Sequence, residues 1–342
     1  MNDDPPSRAV PSGRLARFGA FGRIAGGVAG NVLTQGARRL AAGERPALRD
    51  LMLTPANVNR VTDQLAHLRG AAMKLGQMIS MDAGDVLPPE LTQILSRLRD
   101  RANHMPPQQL QTVLAAQWGK DWRTRFTRFG AAPIAAASIG QVHRATTRDG
   151  RDLAIKVQYP GVAESIDSDV DNVATLLRVS GLLPKEIDLA PLLAEAKRQL
   201  HEEADYVREG AMMTQFGDLL ADASHFVVPV RDAEFSTERV LAMSFVEGRS
   251  IETLADAPQD VRDRVMTDLI TLVLRELFEF GFMQTDPNFA NYRWQEDSGR
   301  LVLLDFGAVR TYGPEVATAF QRGLTKQGMI FKMGTKVTSA KV

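Results

Sequence analysis

The chain has 342 residues, 44% of them hydrophobic and 24% charged, enough apolar content to bury a normal core. Its 41 basic and 41 acidic side chains balance, which argues against bulk nucleic-acid binding. The absence of cysteine excludes disulfides, thiolate metal centres and cysteine nucleophiles.

The histidines at 67, 104, 143, 201 and 225 show no ligand spacing. No segment approaches the roughly 18 apolar residues of a transmembrane helix. Asp3 and Asp4 open a terminus that lacks a secretory hydrophobic region. The expectation is a cytoplasmic protein with, at most, peripheral contact at an inner membrane.

Residues 1–50 read as a tail in which Gly22, Gly26 and Gly30 recur every four positions between arginines. Small residues at that spacing allow close helix approach, and the arginines suit an anionic membrane surface. The competing reading is a flexible glycine-rich tail. Residues 51–128 read as a helical extension, broken at Leu87-Pro88-Pro89 and at Met105-Pro106-Pro107. From Val58 to Met81, Val61, Leu65, Leu68, Ala72, Leu75, Met78 and Ile79 fall at helical spacing. Lys74 and Gln77 share the opposite face, in itself an ordinary solvated helix surface.

Residues 129–246 read as a small lobe with a helical insert near 160–200. Ala135, Ala136, Ala137 and Ser138 stand where a nucleotide-covering loop is expected, and three alanines make that loop stiffer than glycines would. The strands 142–146 and 152–158 are joined by the turn Arg148-Asp149-Gly150. The second carries Leu153-Ala154-Ile155-Lys156-Val157, close to the Val-Ala-Ile-Lys pattern whose lysine grips phosphates. A lysine in a buried strand is costly unless it is paired. The acids lie on a helix predicted from Leu189 to Phe216, where Glu202, Asp205 and Glu209 share one face. Residues 242–248 read as a strand and hinge whose backbone, around Met243 and Phe245, meets adenine.

Residues 247–342 read as a large lobe. A long helix from Pro258 to Phe280 leads into Asp286 and Asn291. A hairpin with its turn at Glu296-Asp297-Ser298-Gly299 then leads to Asp305-Phe306-Gly307. In kinase-like chemistry the first Asp aligns the attacking hydroxyl or water, while the Asn and second Asp hold Mg²⁺. Gln284-Thr285 replaces the usual His-Arg before the catalytic Asp. Pro314-Glu315 follows too closely for a full activation segment, so regulation by loop phosphorylation is not expected.

These elements together resemble the UbiB/ADCK/Coq-type family of atypical kinases, linked to ubiquinone biosynthesis, over about Ala20 to Tyr312. The alanine loop, Ala154-Ile155-Lys156, Glu203-Ala204-Asp205, Asp286 with Asn291, and Asp305-Phe306-Gly307 carry the resemblance. So does Lys74-Leu75-Gly76-Gln77, the family's Lys-x-Gly-Gln signature. The resemblance implies an α+β, two-lobed, protein-kinase-like fold with a helical extension; after Tyr312 the sequence departs from the family pattern, and a shortened large lobe is the expectation. It implies ATP and Mg²⁺ as cofactors, with Lys156 paired to Glu203. Asp205 and Glu209 are the candidates to meet Lys74.

Lys74, Gly76, Gln77 and Asp205 are then regulatory, because in the family this helix covers the site where a protein substrate would dock. Phosphorylation of other proteins is disfavoured. The partners implied are lipid quinone precursors or quinone-biosynthesis proteins, with a second copy of the chain left open. Two alternatives remain: a nucleotide-binding scaffold without useful turnover, and a small-molecule phosphotransferase.

Overall fold

The computed structural model describes residues 104–179, 189–286 and 288–326, the helix Arg69–Ala83, and the single positions Thr34, Ala41, Thr62, Leu65 and Leu68. The glycine- and arginine-rich tail, the break at Leu87, most of the extension before Arg69 and residues 327–342 lie outside the described residues. Two compact units emerge. One runs to Gly217 and takes in Val228–Glu247; the other holds Asp218–Val227 and everything from Gly248 on. The described extension helix Arg69–Ala83 falls within the first unit.

That unit is built on an antiparallel sheet of β1 (Phe126–Phe129), β2 (Ala135–Ala136), β3 (Gly140–Thr147), β4 (Asp152–Gln158) and β6 (Val240–Ser244). The spatial order is β1-β3-β4-β6, with β2 also paired to β3. The β3–β4 turn closes at Gly150, whose φ of 90° lies in the left-handed region that favours glycine. Alternation in β4 buries Leu153, Ile155 and Val157 and turns Lys156 to the other face.

Behind the sheet, α2 (Pro107–Trp118) begins with proline in its first turn, where a missing N–H costs nothing. Its Trp118 joins Trp122, Phe126, Phe129 and Phe235 in a cluster of tilted and edge-to-face rings. The indole of Trp118 donates to the Phe235 carbonyl at 3.1 Å. His143 is enclosed beside this cluster, and burial pushes its pKa down to about 4. The neutral ring bridges the Gly130 carbonyl and the Gln141 side chain, both at 2.8 Å. Gln141 in turn accepts from the Met105 amide at 2.7 Å, pinning the end of the extension to β3.

Three further helices are α1 (Arg69–Ala83), α3 (Val162–Val179) and α4 (Leu189–Ala204), with α1 packed on the other two. Leu75 and Ile79 of α1 are fully enclosed, as the apolar spacing requires. The single helix predicted over 189–216 is instead two. After Ala204 the chain turns, and Asp205 accepts from the Arg208 amide at 2.9 Å. It thereby caps α5 (Tyr206–Leu219).

The second unit holds a sheet in the order β5-β10-β9-β7, formed by β5 (Phe226–Val227), β7 (Arg249–Ser250), β9 (Tyr292–Gln295) and β10 (Arg300–Leu303). The β9–β10 hairpin closes at Gly299, with φ 60°. Helix α6 (Gln259–Arg275) continues into a π-helical turn, Glu276–Phe280, and stops at left-handed Gly281. A two-stranded ladder pairs β8 (Phe282–Gln284) with β11 (Val309–Thr311), and α7 (Pro314–Lys326) follows. No helix among the described residues is long and apolar enough to cross a membrane.

Candidate functional site

In the first unit the alanine loop is a short strand and a tight turn. Ala135 and Ala136 pair with Val142 and Gln141, and the Ala137 amide donates to the Gly140 carbonyl at 2.9 Å. Gly140 is demanded by close approach: a Cβ there would sit 2.5 Å from the Val157 carbonyl oxygen. Every positive-φ residue among those described is glycine, so the alanines are accommodated without left-handed strain.

Lys156 projects from β4 to Glu209 on α5, with Nζ at 2.7 and 2.9 Å from the two carboxylate oxygens. Glu209 is fully buried, and the Tyr206 ring lies 5.1 Å from the same ammonium. The partner expected from the sequence was Glu203; the break at Asp205 explains the difference. By starting a new helix, it carries Glu209 under the sheet and leaves Glu203 on α4.

Glu203 instead meets Lys74, with Nζ to Oε1 at 2.7 Å. Its other oxygen accepts from the Ser138 hydroxyl of the alanine loop. Gly70, one turn before Lys74, allows α1 to approach the Ser138 carbonyl; a Cβ there would stand 3.0 Å from that oxygen. Gly76 is buried within α1, while the side chain of Gln77 lies outside the described residues. Asp205 is exposed and serves as the helix cap, and the carboxylate seen on Lys74 is that of Glu203. The acidic stripe predicted over Glu202, Asp205 and Glu209 does not exist as one face. Glu202 pairs with Arg198, Asp205 caps, and Glu209 is interior.

At the hinge, Met243 is buried opposite Ala154 in the β4–β6 ladder. The Phe245 amide donates to the Asp152 carbonyl at 2.8 Å, and its ring carries the Arg144 guanidinium 3.9 Å from the centroid. That amide is committed to the sheet.

In the second unit, β8 leads directly into Asp286. Asn288 caps a short 3₁₀ turn, Phe289–Asn291, through a 3.0 Å bond from the Ala290 amide. The Asn291 carbonyl then accepts from Leu304 N–H at 3.0 Å, fixing Asn291 against the residue before Asp305. Asp305 Oδ1 accepts from the Gly307 amide at 2.9 Å. The Asn291 Nδ2 atom is buried and finds no hydrogen-bond partner among the described residues. Amide oxygen and nitrogen exchange places by a simple flip, so Asn291 can present oxygen there. An amide and a carboxylate oxygen suit Mg²⁺, which takes its remaining ligands from water and phosphate.

Sequence reasoning passed over the residues that brace this loop. Gln284 donates through Nε2 to the Asp305 carbonyl at 2.6 Å and accepts from the Tyr292 hydroxyl at 3.0 Å. Its own amide donates to Glu276 Oε2 at 3.1 Å. Glu276 is 2% exposed, and burial raises its pKa to about 8. Burial likewise raises the Tyr292 phenol, with the carboxylates of Glu276, Asp286 and Asp305 adding to the effect. The available signal was Gln284 itself, a long amide where a His was expected.

The model of the ABC1 atypical kinase-like domain matches residues 97–329. The chain is 39% identical over 323 residues to atypical kinase COQ8, mitochondrial, of Saccharomyces cerevisiae, covering 94% of this chain and 64% of that protein. It is 42% identical over 314 residues to atypical kinase coq-8, mitochondrial, of Caenorhabditis elegans, covering 89% of this chain and 42% of that protein. The chain thus spans less than two thirds of either relative's length. Among solved structures, Rv3197 of Mycobacterium tuberculosis in complex with erythromycin is 30% identical, covering 82% of this chain and 75% of that one, with a TM-score of 0.49.

Proposed function

The chain belongs to the ABC1 atypical kinase-like family, and on that footing we propose that it binds Mg–ATP and turns it over in support of lipid-quinone biosynthesis. The observation that carries this reading is the buried Lys156–Glu209 pair. A lysine held by a fully enclosed carboxylate is fixed in position and charge, as a phosphate ligand must be.

In this reading Lys156 grips the α/β-phosphates and Glu209 holds its ammonium in place. The alanine loop Ala135 to Ser138 covers the phosphates. Asn291 and Asp305 hold Mg²⁺, which when bound offsets the charge that develops on the transferred phosphoryl group. Asp286 orients the attacking oxygen, from water or a small acceptor. Lys74, on a helix seated against Ser138, restrains the loop and disfavours a protein acceptor. Met243 lines the adenine end through its place in β6.

The names of the relatives support the kinase class and, through COQ8, the connection to coenzyme Q. Lipid quinone precursors, or proteins that make them, are the proposed partners, reached by peripheral contact with a membrane. The test is Mg²⁺-dependent ATP hydrolysis by wild type against Asp286→Asn and Asp305→Asn. The reading requires loss of turnover in both variants, with nucleotide binding retained in Asp286→Asn. Turnover unchanged in both would overturn it.

A further inference from the structure

Gln284 and Thr285 precede Asp286, and each holds one end of the Asp305–Ala308 segment. The Gln284 side chain donates to the Asp305 carbonyl at 2.6 Å. The Thr285 amide and hydroxyl donate to the Ala308 carbonyl at 3.0 and 2.7 Å. The ladder between β8 and β11 continues the same registration, with Gln284 opposite Val309. The residues leading into Asp286 are therefore bonded to the backbone on both sides of Asp305-Phe306-Gly307.

The Gln284 amide is itself oriented without ambiguity. A backbone carbonyl only accepts, so the nitrogen must face Asp305 and the oxygen must face Tyr292, whose hydroxyl donates to it. The Gln284 backbone is anchored by its N–H to Glu276, whose buried carboxyl springs from the first residue of the π-helical turn. A π-turn displaces side chains relative to a regular helix and recurs where a particular side chain must be aimed.

We propose that Gln284, oriented by Tyr292, is a positioning residue that sets the carboxylate of Asp305 for metal binding. It does not touch metal or substrate; it fixes the peptide from which the Asp305 side chain springs, as outer partners fix metal ligands elsewhere. This rests on the reading of Asp305 as a Mg²⁺ ligand given above.

The probe is Mn²⁺ as a spectroscopic stand-in for Mg²⁺, titrated by electron paramagnetic resonance against full-length protein with ADP. Amide hydrogen exchange over residues 304–308 is measured in parallel. Gln284→Met removes the amide at similar length. It should raise the half-saturating Mn²⁺ concentration about tenfold, within the range for lost outer partners, and leave metal-free ADP affinity unchanged. Gln284→His puts an N–H the same number of bonds from Cα and should return the midpoint to within about twofold of wild type, by the hydrogen-bond inventory. Tyr292→Phe, which keeps the ring, should move the midpoint in the same direction by about threefold, and it carries the test if Gln284→Met does not fold.

A midpoint unchanged in the folded variants overturns the inference while leaving the proposed function standing. Failure of wild type to take up Mn²⁺ with nucleotide sinks the proposed function instead. The positioning role is then judged by exchange at 304–308. Faster exchange in Gln284→Met, restored in Gln284→His, supports it, and equal exchange in all three overturns it.

Discussion

Lys74 and Glu203 face each other at 2.7 Å, with side chains 7% and 15% exposed, and Glu203 also accepts from Ser138 of the alanine loop. One carboxylate thus ties the extension helix to the loop expected to cover phosphates. Removing a single partner leaves a mostly buried charge, a loss of about 3–5 kcal/mol in comparable pairs. Lys74→Met and Glu203→Leu should each destabilise by that order, and the double variant should recover most of it. A denaturant double-mutant cycle checks this, and additive losses would contradict the pairing.

Lys156 pairs with Glu209 and not with Glu203. Glu209→Gln should therefore weaken ATP binding by about 10- to 100-fold, the scale of a charge-assisted hydrogen bond. In a Lys156→Met background the same change should matter far less. Glu203→Gln should show no such coupling to Lys156. Equal coupling of both glutamates to Lys156 would refute the assignment.

Glu276 gives a pH prediction. Its folded-state pKa stands near 8, against an ordinary value of 4.5. Between those values the folded chain binds more protons than the unfolded chain, so stability falls as pH rises. The Gln284 amide donates to this carboxyl, and among the described residues no cation is paired with it. Glu276→Gln should melt increasingly above wild type from pH 5 to pH 8, at an upper limit of about 1.4 kcal/mol per pH unit. Above pH 8 the gap should level off. A gap that does not change with pH argues against a neutral buried acid.

Gly140→Ala should destabilise the first unit by about 1–3 kcal/mol, the usual penalty of overpacking. Its added methyl would meet the Val157 carbonyl at 2.5 Å and the Tyr206 hydroxyl at 2.8 Å. Gly217→Ala is the control, since its nearest neighbour would be 3.9 Å away. In the last turn of α5 that change should be neutral or slightly stabilising. Similar melting shifts for the two variants would show that close approach is not what Gly140 provides.

Much of this was legible in the sequence because local signals were strong. The strands around Lys156 and the hairpin before Asp305 follow from alternation and from Gly150 and Gly299 at the turns. The long helix before Asp286 was read over Pro258 to Phe280, and it is there, although its last turn is π-helical. What escaped was set by tertiary geometry. Glu203 and Glu209 are both acids within one predicted helix, and the break at Asp205 gives the second a direction that the continuous helix does not. Asp205 as a helix cap was in fact readable, since Asp followed by a helical run is a start signal. Gln284 could not be assigned by pattern, because its partners, Tyr292, Glu276 and the Asp305 carbonyl, are joined only by folding.

The central claim is that Asp305 and Asn291 hold magnesium on a nucleotide whose phosphates Lys156 grips. Isothermal calorimetry of folded full-length protein with ADP, with and without Mg²⁺, tests it most directly. The account predicts nucleotide affinity that rises with Mg²⁺, loses that rise in Asp305→Asn, and drops in Lys156→Met whether or not the metal is present. Affinity indifferent to Mg²⁺, or undiminished in both variants, would contradict it.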